Sequence, residues 1–490
     1  MDLRKTVQLA ELFAFYKWRG KNVVTQKRFI EKYTEATLEG YAAVFAGAGL
    51  SIPSGYMNWK DLVKPLAKDL QLDIEKENDL ISVMQYYENE YNRNEINQKI
   101  LNSFTQETTE NINLKIITKL PISTYWTTNY DKLLEKHLEE NNKKVDIKIS
   151  QENLAENIYD SDATVYKMHG DISNPSSTVI TRDDYEKYSL ERPLFRTALQ
   201  GDLLTKTFLF IGFSFEDPNL DYILSQIRIL LENNTRTHYA FFKNIAENEE
   251  DYEYKTIKQT LKIKDLKRYG IETILLNEYD EITEILKDIK KAVYLKNIFI
   301  SGSIVEKTEN WNIDDANKLA YNLSKCLVKD NYKVISGFGL GIGSSVLNGA
   351  LNEIYNSKYK HIDENLSLRP FPQYFEDEKD REEEHKKYRE LMLSEAGIAI
   401  FVFGNKYNNN GTVVNSTGMF QEFKICKEND IKVIPIGSTG GASAEIFNEI
   451  KKNIDNYKYL KEYINQLEFS TDADEIISIV NKIIENIQLT

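Results

Sequence analysis

The stretch AGAGLS, residues 46–51, decides how the first part of this chain folds. It follows an apolar run, Tyr41–Phe45, and precedes a stretch of helical character. Gly47 and Gly49 can take positive φ and leave room for the backbone to approach a ligand. Amide donors at the start of the following helix then face an anion. This order predicts a phosphate cradle, although a short glycine turn also suits a simple tight connection.

Length and charge limit what the chain can be. With 490 residues it exceeds what one hydrophobic core usually serves, so we expect two or more domains. The formal net charge of −14 argues against a nucleic-acid partner held by a basic field, but allows a small anion in a locally basic pocket. The two cysteines, Cys326 and Cys426, exclude a disulfide framework and a four-cysteine zinc site. We therefore expect no metal and no zinc.

Targeting signals are not evident in the sequence. The amino-terminal stretch MDLRKTVQLAELFAFYKWRGK, residues 1–21, is amphipathic at helical spacing and lacks an uninterrupted apolar core or a small-residue cleavage site. No apolar run approaches eighteen residues, the length needed to span a membrane. We expect a soluble, cytoplasmic bacterial protein that has no membrane partner.

Apolar strand runs alternate with helical stretches along the whole chain, which predicts the α/β class with mostly parallel sheets. The strand runs are Tyr41–Ala46, Ile122–Thr127, Val165–Met168, Phe208–Gly212, Tyr239–Phe242, Glu272–Leu276, Asn297–Ser301, Lys333–Ser336, Ile398–Phe403 and Lys432–Ile436. The helical stretches include Asp79–Phe104, Leu220–Leu231, Glu281–Tyr294 and the charged segment Glu376–Glu390. We expect two Rossmann-like domains, residues 1–290 (with amino-terminal helices over about residues 1–40) and residues 291–490.

Four polar clusters follow strands of the first block, where open parallel sheets place their ligands. They are the glycine turn, TTNYD at 127–131, HGD at 169–171 and GFSFEDPN at 212–219. Each has a plainer interpretation. Asn129 suits a turn or a helix cap, His169 a satisfied buried histidine, and Asp217 the start of a turn or helix. Their joint occurrence at successive strand ends favours one converging pocket.

In these four motifs the first block resembles the sirtuin-like NAD-binding fold, over roughly residues 1–285. The resemblance implies that Gly47, Ala48, Gly49 and Ser51 hold the pyrophosphate of NAD, and that Gly212 and Ser214 lie beside its adenosine half. It also implies that Asn129 and His169 are the catalytic pair at the nicotinamide-bearing ribose. Asp131 becomes a candidate contact for the nicotinamide amide.

Departures from the sirtuin pattern change the expected reaction. The four zinc-binding cysteines of sirtuin deacylases have no counterpart, because no cysteine precedes Cys326. The proline-aspartate-phenylalanine-arginine run expected after the glycine turn is replaced by GYMNWK, residues 55–60. Without an acyl acceptor, water is the simplest nucleophile for the anomeric carbon. Asn129 can orient that water, and His169 can accept a proton near neutral pH. The hypothesis is NAD hydrolysis to ADP-ribose and nicotinamide, with NAD as substrate and no resident cofactor.

The second block repeats the glycine-turn construction. SGS at 301–303 ends its first strand, and SGFGLGIGS at 336–344 follows its second, with a glycine at every second position from 337 to 343. This spacing predicts backbone that approaches a ligand. Arg389 and Lys406 are basic side chains that can join the site, although both also suit a surface role. Glu422 also suits a carboxylate in the first turn of a helix.

This second pattern resembles the SLOG family over about residues 290–490, where GMFQE at 418–422 loosely matches the family signature. A sirtuin-like block followed by a SLOG block is similar to the NAD-consuming effectors of Thoeris antiphage defence. The resemblance implies activation by a cyclic ADP-ribose isomer that a TIR-domain partner makes, and assembly into homotetramers. Arg389 and Lys406 then hold the diphosphate, and Glu422 a ribose hydroxyl. Gly302, Ser303, Gly339 and Leu340 complete that nucleotide site.

Two other classes of function stay open at this point. A non-catalytic nucleotide sensor would use both Rossmann-like pockets for binding alone, and a test for nicotinamide release separates it from an enzyme. A transferase, either a deacylase or an ADP-ribosyl transferase, would move part of NAD onto an acceptor. The missing zinc cysteines weigh against a deacylase, and no sequence feature selects a protein acceptor.

Overall fold

The chain divides into two compact units, of which the first ends at Lys290 and the second begins at Lys291. The structure is a computed structural model that describes residues 23–105, 107–231, 235–372 and 378–489. The amphipathic stretch of residues 1–21 and positions 376–377 of the expected charged helix lie outside the described residues. Both units are α/β, as the alternation of strands and helices predicts.

A seven-stranded sheet, in which every pair of neighbours runs parallel, forms the first unit. Its strands are β1 (Ala42–Ala46), β2 (Thr124–Thr127), β3 (Val145–Lys148), β4 (Ala163–Lys167), β5 (Thr207–Ile211), β6 (His238–Lys243) and β7 (Ile271–Leu276). They lie in the order β3-β4-β2-β1-β5-β6-β7. The sequence analysis missed β3, because Asp146 and Lys148 interrupt its apolar pattern.

Register aligns the ends of the four central strands. Ala46, the last residue of β1, pairs with Thr127 of β2 and with Ile211 of β5. Thr127 in turn pairs with Lys167, the last residue of β4. Because parallel strands share one carboxyl edge, the segments that follow β4, β2, β1 and β5 all leave the sheet at the same level. These are the four segments that carry the polar clusters.

Helices cover this sheet. They are Gln26–Leu38, Trp59–Asp69, Leu80–Glu90, Arg93–Phe104, Ile112–Ile117, Leu133–Glu140, Gln151–Ala155, Arg182–Glu191, Pro193–Thr205, Pro218–Leu231, Tyr252–Arg268 and Glu281–Tyr294. The expected single helix over Asp79–Phe104 is two helices. The first helix ends at Glu90, and Asn92 caps the second by accepting a hydrogen bond from Glu95 N at 3.1 Å. This cap was not predicted, because the helical pattern of the sequence continues through it.

The second unit contains a five-stranded parallel sheet in the order β10-β9-β8-β11-β14. The strands are β8 (Asn297–Ser303), β9 (Lys333–Ser336), β10 (Leu366–Leu368), β11 (Ile398–Phe403) and β14 (Lys432–Pro435), beside a hairpin of β12 (Asn405–Tyr407) and β13 (Val413–Asn415). Its helices are Ile313–Lys329, Gly343–Asn356, Ile362–Asn365, Glu378–Leu393, Thr417–Glu428, Gly441–Lys452, Ile464–Phe469 and Ala473–Leu489. β10 and the two strands of the hairpin were not predicted from the sequence, because each of these strands is only three residues long.

Central strands are apolar because helices cover both faces of a parallel sheet. All residues of β1, β5 and β11 are buried, as their unbroken apolar runs require. In the parts of the chain that the structure describes, no helix has the length and apolar character needed to cross a bilayer. The same parts hold no cluster of three or more histidine, cysteine or acidic side chains suited to a metal ion.

Candidate functional site

The glycine turn after β1 packs against the turn after β5. Gly47 N donates to Ile211 O and Gly49 N to Gly212 O, both at 2.9 Å. A Cβ on Gly47 would lie 2.4 Å from Gly212 O, and one on Gly49 would lie 2.8 Å from Gly212 Cα. The prediction of positive φ at Gly47 and Gly49 is wrong; Gly212, at φ +66°, takes it instead. Close backbone packing is what requires these glycines.

No α-helix begins directly after the glycine turn. The prediction that amides at the start of a helix face an anion here is therefore wrong. Two short 3-10 turns, Ala48–Leu50 and Ile52–Ser54, follow instead, and the next α-helix starts at Trp59. The amides of Leu50 and Ser51 donate within the turn, to Gly47 O and Ala48 O, each at 3.0 Å. The groups of this turn that bond to other segments are mainly the Ser51 side chain and the Gly47 carbonyl.

Asn129 is joined directly to the glycine turn. Its Nδ2 donates to Gly47 O and to Ser51 Oγ, each at 3.1 Å. Ser51 Oγ donates in turn to Asp131 Oδ2 at 2.8 Å, and Asp131 Oδ1 accepts from Leu133 N at 3.0 Å. The structure thus brings Asn129, Ser51, Asp131 and Gly47 into one hydrogen-bonded cluster. Asn129 is only partly buried, and in the described part of the chain no hydrogen bond to its Oδ1 is found beside the two that its Nδ2 donates.

A small pocket lies against this cluster. Its lining includes Ser51, Thr127, Asn129, Asp131 and Glu135. Asp131 is 5% exposed, and burial raises its pKa, a shift that Lys167 and the Ser51 hydroxyl only partly offset. The remaining lining is mostly apolar and includes Ala46 and Leu114, and the cavity, at about 10 Å³, has room for a water rather than for a nucleotide.

His169 lies in a different environment, with its ring 3% exposed. Tyr185 and Tyr188 pack edge-on against the ring, with centroids 5.5 and 6.1 Å away. Its Nε2 is 3.3 Å from Asp217 Oδ2 and makes no well-aligned hydrogen bond within the described residues. Burial lowers the pKa of His169, which the Asp217 carboxylate partly counters. The ring is therefore neutral around pH 7, the form that can accept a proton.

Tyr130 and Val179 connect the Asn129 segment to the His169 segment. Neither the pocket beside Asn129 nor a second one beside Asp217 is lined by both side chains. The Tyr130 hydroxyl donates to Val179 O at 2.7 Å, and Val179 N donates to His169 O at 2.9 Å. The expected close approach of the two side chains around one sugar stays a prediction for the ligand-bound protein.

The segment after β5 carries the remaining predicted contacts. Asp217 Oδ1 accepts from Leu220 N at 2.9 Å and so caps the helix Pro218–Leu231, while its Oδ2 accepts from the Tyr185 hydroxyl at 3.2 Å. Asp217 therefore does both things at once: it caps the helix, and it lies beside His169. Ser214 is exposed, and its carbonyl accepts from Lys262 Nζ at 2.8 Å.

A buried ion cluster beneath the Asn129 segment escaped the sequence analysis. Lys167 is 0% exposed, and its Nζ lies 2.9 Å from Glu135 Oε1 and 2.5 Å from Asp171 Oδ2. In the sequence, Lys167 lies inside the predicted apolar strand run Val165–Met168, two residues before His169. Lysine is almost never fully buried without partners, so this position warranted attention.

In the second unit, Glu422 meets Ser301 and Arg389. The Ser301 hydroxyl donates to Glu422 Oε2 at 2.6 Å, and Arg389 Nε lies 3.7 Å from Glu422 Oε1. Burial raises the pKa of Glu422 to about 7, with Ser301 and Arg389 opposing the rise. The helix begins at Thr417, so Glu422 does not lie in its first turn as the plainer interpretation required.

The two basic residues approach the same helix start. Arg389 Nη2 is 3.0 Å from where a Cβ on Gly418 would be, and Lys406 Nζ donates to Thr417 Oγ1 at 3.0 Å. Arg389 also lies over the Phe371 ring at 4.9 Å, and its Nε is buried with no hydrogen bond in the described part of the chain. Arg389 is therefore no ordinary surface charge.

The glycine turns of the second unit pack against each other. A Cβ on Gly339 would lie 1.9 Å from Gly302 O, so neither turn tolerates a side chain there. Leu340 is exposed, and its carbonyl accepts from Ile304 N at 2.8 Å. The Ser303 hydroxyl donates to Asn405 O at 3.0 Å. Backbone packing thus explains the spacing of the glycines, and ligand contact stays a prediction.

Family models match both units. A SIR2-like domain matches residues 123–274, and the Sir2- and TIR-associating SLOG family, named STALD, matches residues 281–487. The order of the two families agrees with the resemblance drawn from the motifs. The first match covers three of the four motifs, since the glycine turn precedes residue 123.

Full-length relatives carry a common name. The NAD(+) hydrolase ThsA of Bacillus cereus (strain MSX-D12) is 44% identical over 94% of this chain and 98% of the relative. The NAD(+) hydrolase ThsA of Acinetobacter baumannii (strain 532279) is 42% identical over 95% of this chain and 99% of the relative. That of Cytobacillus dafuensis is 45% identical over 87% and 89%. This chain therefore belongs to the ThsA family of NAD(+) hydrolases.

Proposed function

We propose that this protein is an antiphage defence effector that hydrolyses NAD+ to ADP-ribose and nicotinamide once its second unit binds a cyclic ADP-ribose isomer. The observation that carries the reaction is the near full-length relationship to NAD(+) hydrolases, at 42–45% identity. The four aligned strand ends and the Asn129 cluster support the same chemistry. The proposal puts the protein in the bacterial cytoplasm, where its substrate is found.

In this mechanism Asn129 orients the nucleophile. Its Nδ2 is held by Gly47 O and Ser51 Oγ, each at 3.1 Å, so the amide plane is fixed and Oδ1 faces away from the turn. Oδ1 can accept a hydrogen bond from a water or a ribose hydroxyl. Cleavage of the bond to nicotinamide builds positive charge on the sugar, and a fixed dipole at that point stabilises it. Asp131, two residues further on, is our candidate for the nicotinamide amide.

His169 acts as the general base that accepts the proton from the ribose or the attacking water. Its lowered pKa keeps the ring neutral, which a base requires. The ring is also sealed beneath Tyr185, Tyr188 and Asp217. Reaction therefore requires these side chains to uncover Nε2. A covered base agrees with an enzyme that is inactive at rest, as a toxic NAD hydrolase must be.

The second unit is the proposed sensor. Arg389 and Lys406 would hold a diphosphate, and Glu422 a ribose hydroxyl. Lys406 contacts the first residue of the helix Thr417–Glu428, and Arg389 lies beside both Gly418 and Glu422 of that helix. A small anionic nucleotide also gives the buried Arg389 Nε an acceptor. The matched SLOG family is described as Sir2- and TIR-associating, which supports a TIR-domain protein as the source of the signal.

Activation should be cooperative. Moving an equilibrium from 1:99 to 99:1 takes roughly 5.5 kcal/mol of differential ligand affinity. A single small anion supplies this more easily when several copies switch together. We therefore include a homotetramer in the proposal, and expect a sigmoidal response to signal with low basal turnover.

Purified protein incubated with NAD+, with and without each cyclic ADP-ribose isomer, tests the proposal. We expect nicotinamide and ADP-ribose in equal amounts, released only when the activating isomer is present. Arg389→Ala should remove the response and leave the protein folded. Label from adenine-labelled NAD+ on protein would indicate a transferase instead. Binding of NAD+ without nicotinamide release under any isomer would indicate a sensor and refute the enzyme.

A further inference from the structure

Among the described residues of the first unit, Lys167 is the most deeply buried charged side chain that the proposed mechanism leaves unused. It is the last residue of β4 and is 0% exposed. Its Nζ donates to the carbonyls of Tyr130 and Asp131, and to Glu135 Oε1 at 2.9 Å. It also pairs with Asp171 Oδ2 at 2.5 Å. An ammonium has three protons, and here it faces four acceptors.

These acceptors belong to two different segments. Tyr130, Asp131 and Glu135 follow β2, in the segment that carries Asn129. Asp171 follows β4, two residues after His169, and its Oδ1 accepts from Ser173 N at 2.7 Å. The Lys167 ammonium therefore joins the segment that carries Asn129 to the segment that carries His169.

A backbone bond runs beside this link. Ile172 N donates to Tyr130 O at 3.1 Å, the same carbonyl that Lys167 approaches. The exposed Lys132 reaches Asp171 Oδ1 only at 3.8 Å, so it does not replace the buried contact. Without the ammonium, the carbonyls of Tyr130 and Asp131 would lose a donor, and two buried carboxylates would face each other. Two buried carboxylates without their counter-charge destabilise the contact between the two segments.

We propose that Lys167 is a positioning residue for NAD+ hydrolysis: its ammonium locks the Asn129 segment to the His169 segment, and so sets the geometry of the two catalytic groups. Lys167 itself need not touch substrate. The inference rests on the proposed function, because it assigns Lys167 a role in that reaction. Misplacement of reacting groups by about 1 Å can cost about a hundredfold in rate.

The chain offers a matched control in Lys148. It ends the neighbouring strand β3, is 2% exposed, and pairs with Asp146 at 2.8 Å. Its other bonds go to Glu156 O and Asn157, so all its partners lie within the segment 146–157. Lys148→Met removes an equally buried lysine and its ion pair without touching the Asn129 or His169 segment.

The test compares Lys167→Met and Lys148→Met in the full-length, signal-activated protein. For Lys167→Met we expect kcat to fall by about tenfold to a hundredfold while KM changes by less than about threefold. For Lys148→Met we expect kcat within about twofold of the parent, although both variants unfold at lower denaturant concentration. Equal loss of kcat in both variants, or an unchanged kcat in Lys167→Met, would overturn the proposal.

Amide hydrogen exchange at Ile172 gives a readout that does not depend on activity. We expect exchange at this amide to be about tenfold faster in Lys167→Met than in the parent, and unchanged in Lys148→Met. If the parent itself releases no nicotinamide, the proposed function fails. Ile172 exchange then still decides whether Lys167 ties the two segments. If the Ile172 amide of Lys167→Met is as protected from exchange as in the parent, the proposed link between the two segments is refuted.

Asp171→Asn covers the case in which Lys167→Met does not fold. It keeps the ammonium and its bonds to the Asn129 segment but weakens its charged partner in the His169 segment. We expect kcat to fall by about fivefold with KM nearly unchanged. A folded Asp171→Asn protein with the parent kcat would count against Lys167 as a positioning residue.

Discussion

Replacing Glu422 by glutamine should stabilise the second unit at alkaline pH. The carboxyl is 7% exposed, and burial raises its pKa from 4.5 to about 7 despite the Ser301 hydroxyl and Arg389. A raised pKa in the folded protein means that ionising the group opposes folding. At about 1.36 kcal/mol per pKa unit, the full cost of keeping the buried carboxylate ionised is about 3 kcal/mol.

The sign of the pH dependence follows from the two pKa values. At pH 8 the carboxyl is ionised in both the folded and the unfolded chain, so the parent bears the whole cost. As the pH falls through 7, the folded protein takes up a proton and the cost shrinks. At pH 5 the cost is about 1 kcal/mol, and it vanishes below the unfolded value of 4.5. Glutamine keeps the shape and an acceptor for Ser301 but never ionises.

Denaturant unfolding of the parent and of Glu422→Gln at pH 5 and pH 8 measures the effect. We expect the variant to gain about 3 kcal/mol in free energy of unfolding at pH 8 and about 1 kcal/mol at pH 5. Glu428→Gln, an exposed position on the same helix, is the control and should change little at either pH. A gain for Glu422→Gln that is independent of pH, or a loss at pH 8, would refute this reasoning.

Two further predictions concern the first unit. Gly212→Ala should lower the free energy of unfolding by about 3 kcal/mol, because φ is +66° and the new Cβ would lie 2.1 Å from Leu50 N. Gly40→Ala, at φ +78° with nothing within 4 Å, should cost only about 1 kcal/mol, and equal losses in denaturant unfolding would contradict the packing argument. Asp217→Asn keeps the helix cap but removes the charge that raises the pKa of His169, so the acid limb of kcat/KM should move to lower pH. An acid limb that stays in place or moves to higher pH would show that His169 is not the titrating base.

Much of the fold could be predicted because buried parallel strands leave a strong apolar pattern. The runs of β9 and β11 match the structure to the residue, and the ends of β1 and β2 are also as predicted. β3, β10 and the β12–β13 hairpin were missed, since edge strands and short ribbons need no continuous apolar run. Each of these strands is only three or four residues long, which is too short for an apolar alternation to stand out.

The sequence predicted that four polar segments leave one edge of the sheet, and the register of the strands agrees, but the interactions of these segments could not be predicted. Strand ends and motif order placed Asn129 and Asp131 on the same segment, and the structure adds that Ser51 connects them. The role of the glycines was misread, because the contact that forbids a side chain at Gly47 comes from Gly212, far along the chain. Long-range backbone packing of this kind is invisible to a local motif.

The burial of charged side chains also could not be predicted from the sequence. Arg389 and Glu422 suited surface positions equally well until the structure placed them against each other. Lys167 looked like an interruption in a strand, although three acceptors from the segment after β2 and one from Asp171 surround its ammonium. In each case a partner that stabilises the charge comes from a helix more than thirty residues away in the chain.

The central claim is that the Asn129 and His169 segments form one catalytic site for NAD+. The most direct test is the rate of nicotinamide release by Asn129→Ala and His169→Ala under signal that activates the parent, with folding verified by circular dichroism. We predict that each folded variant loses at least about a hundredfold in rate. Release at the parent rate by either folded variant would contradict the account.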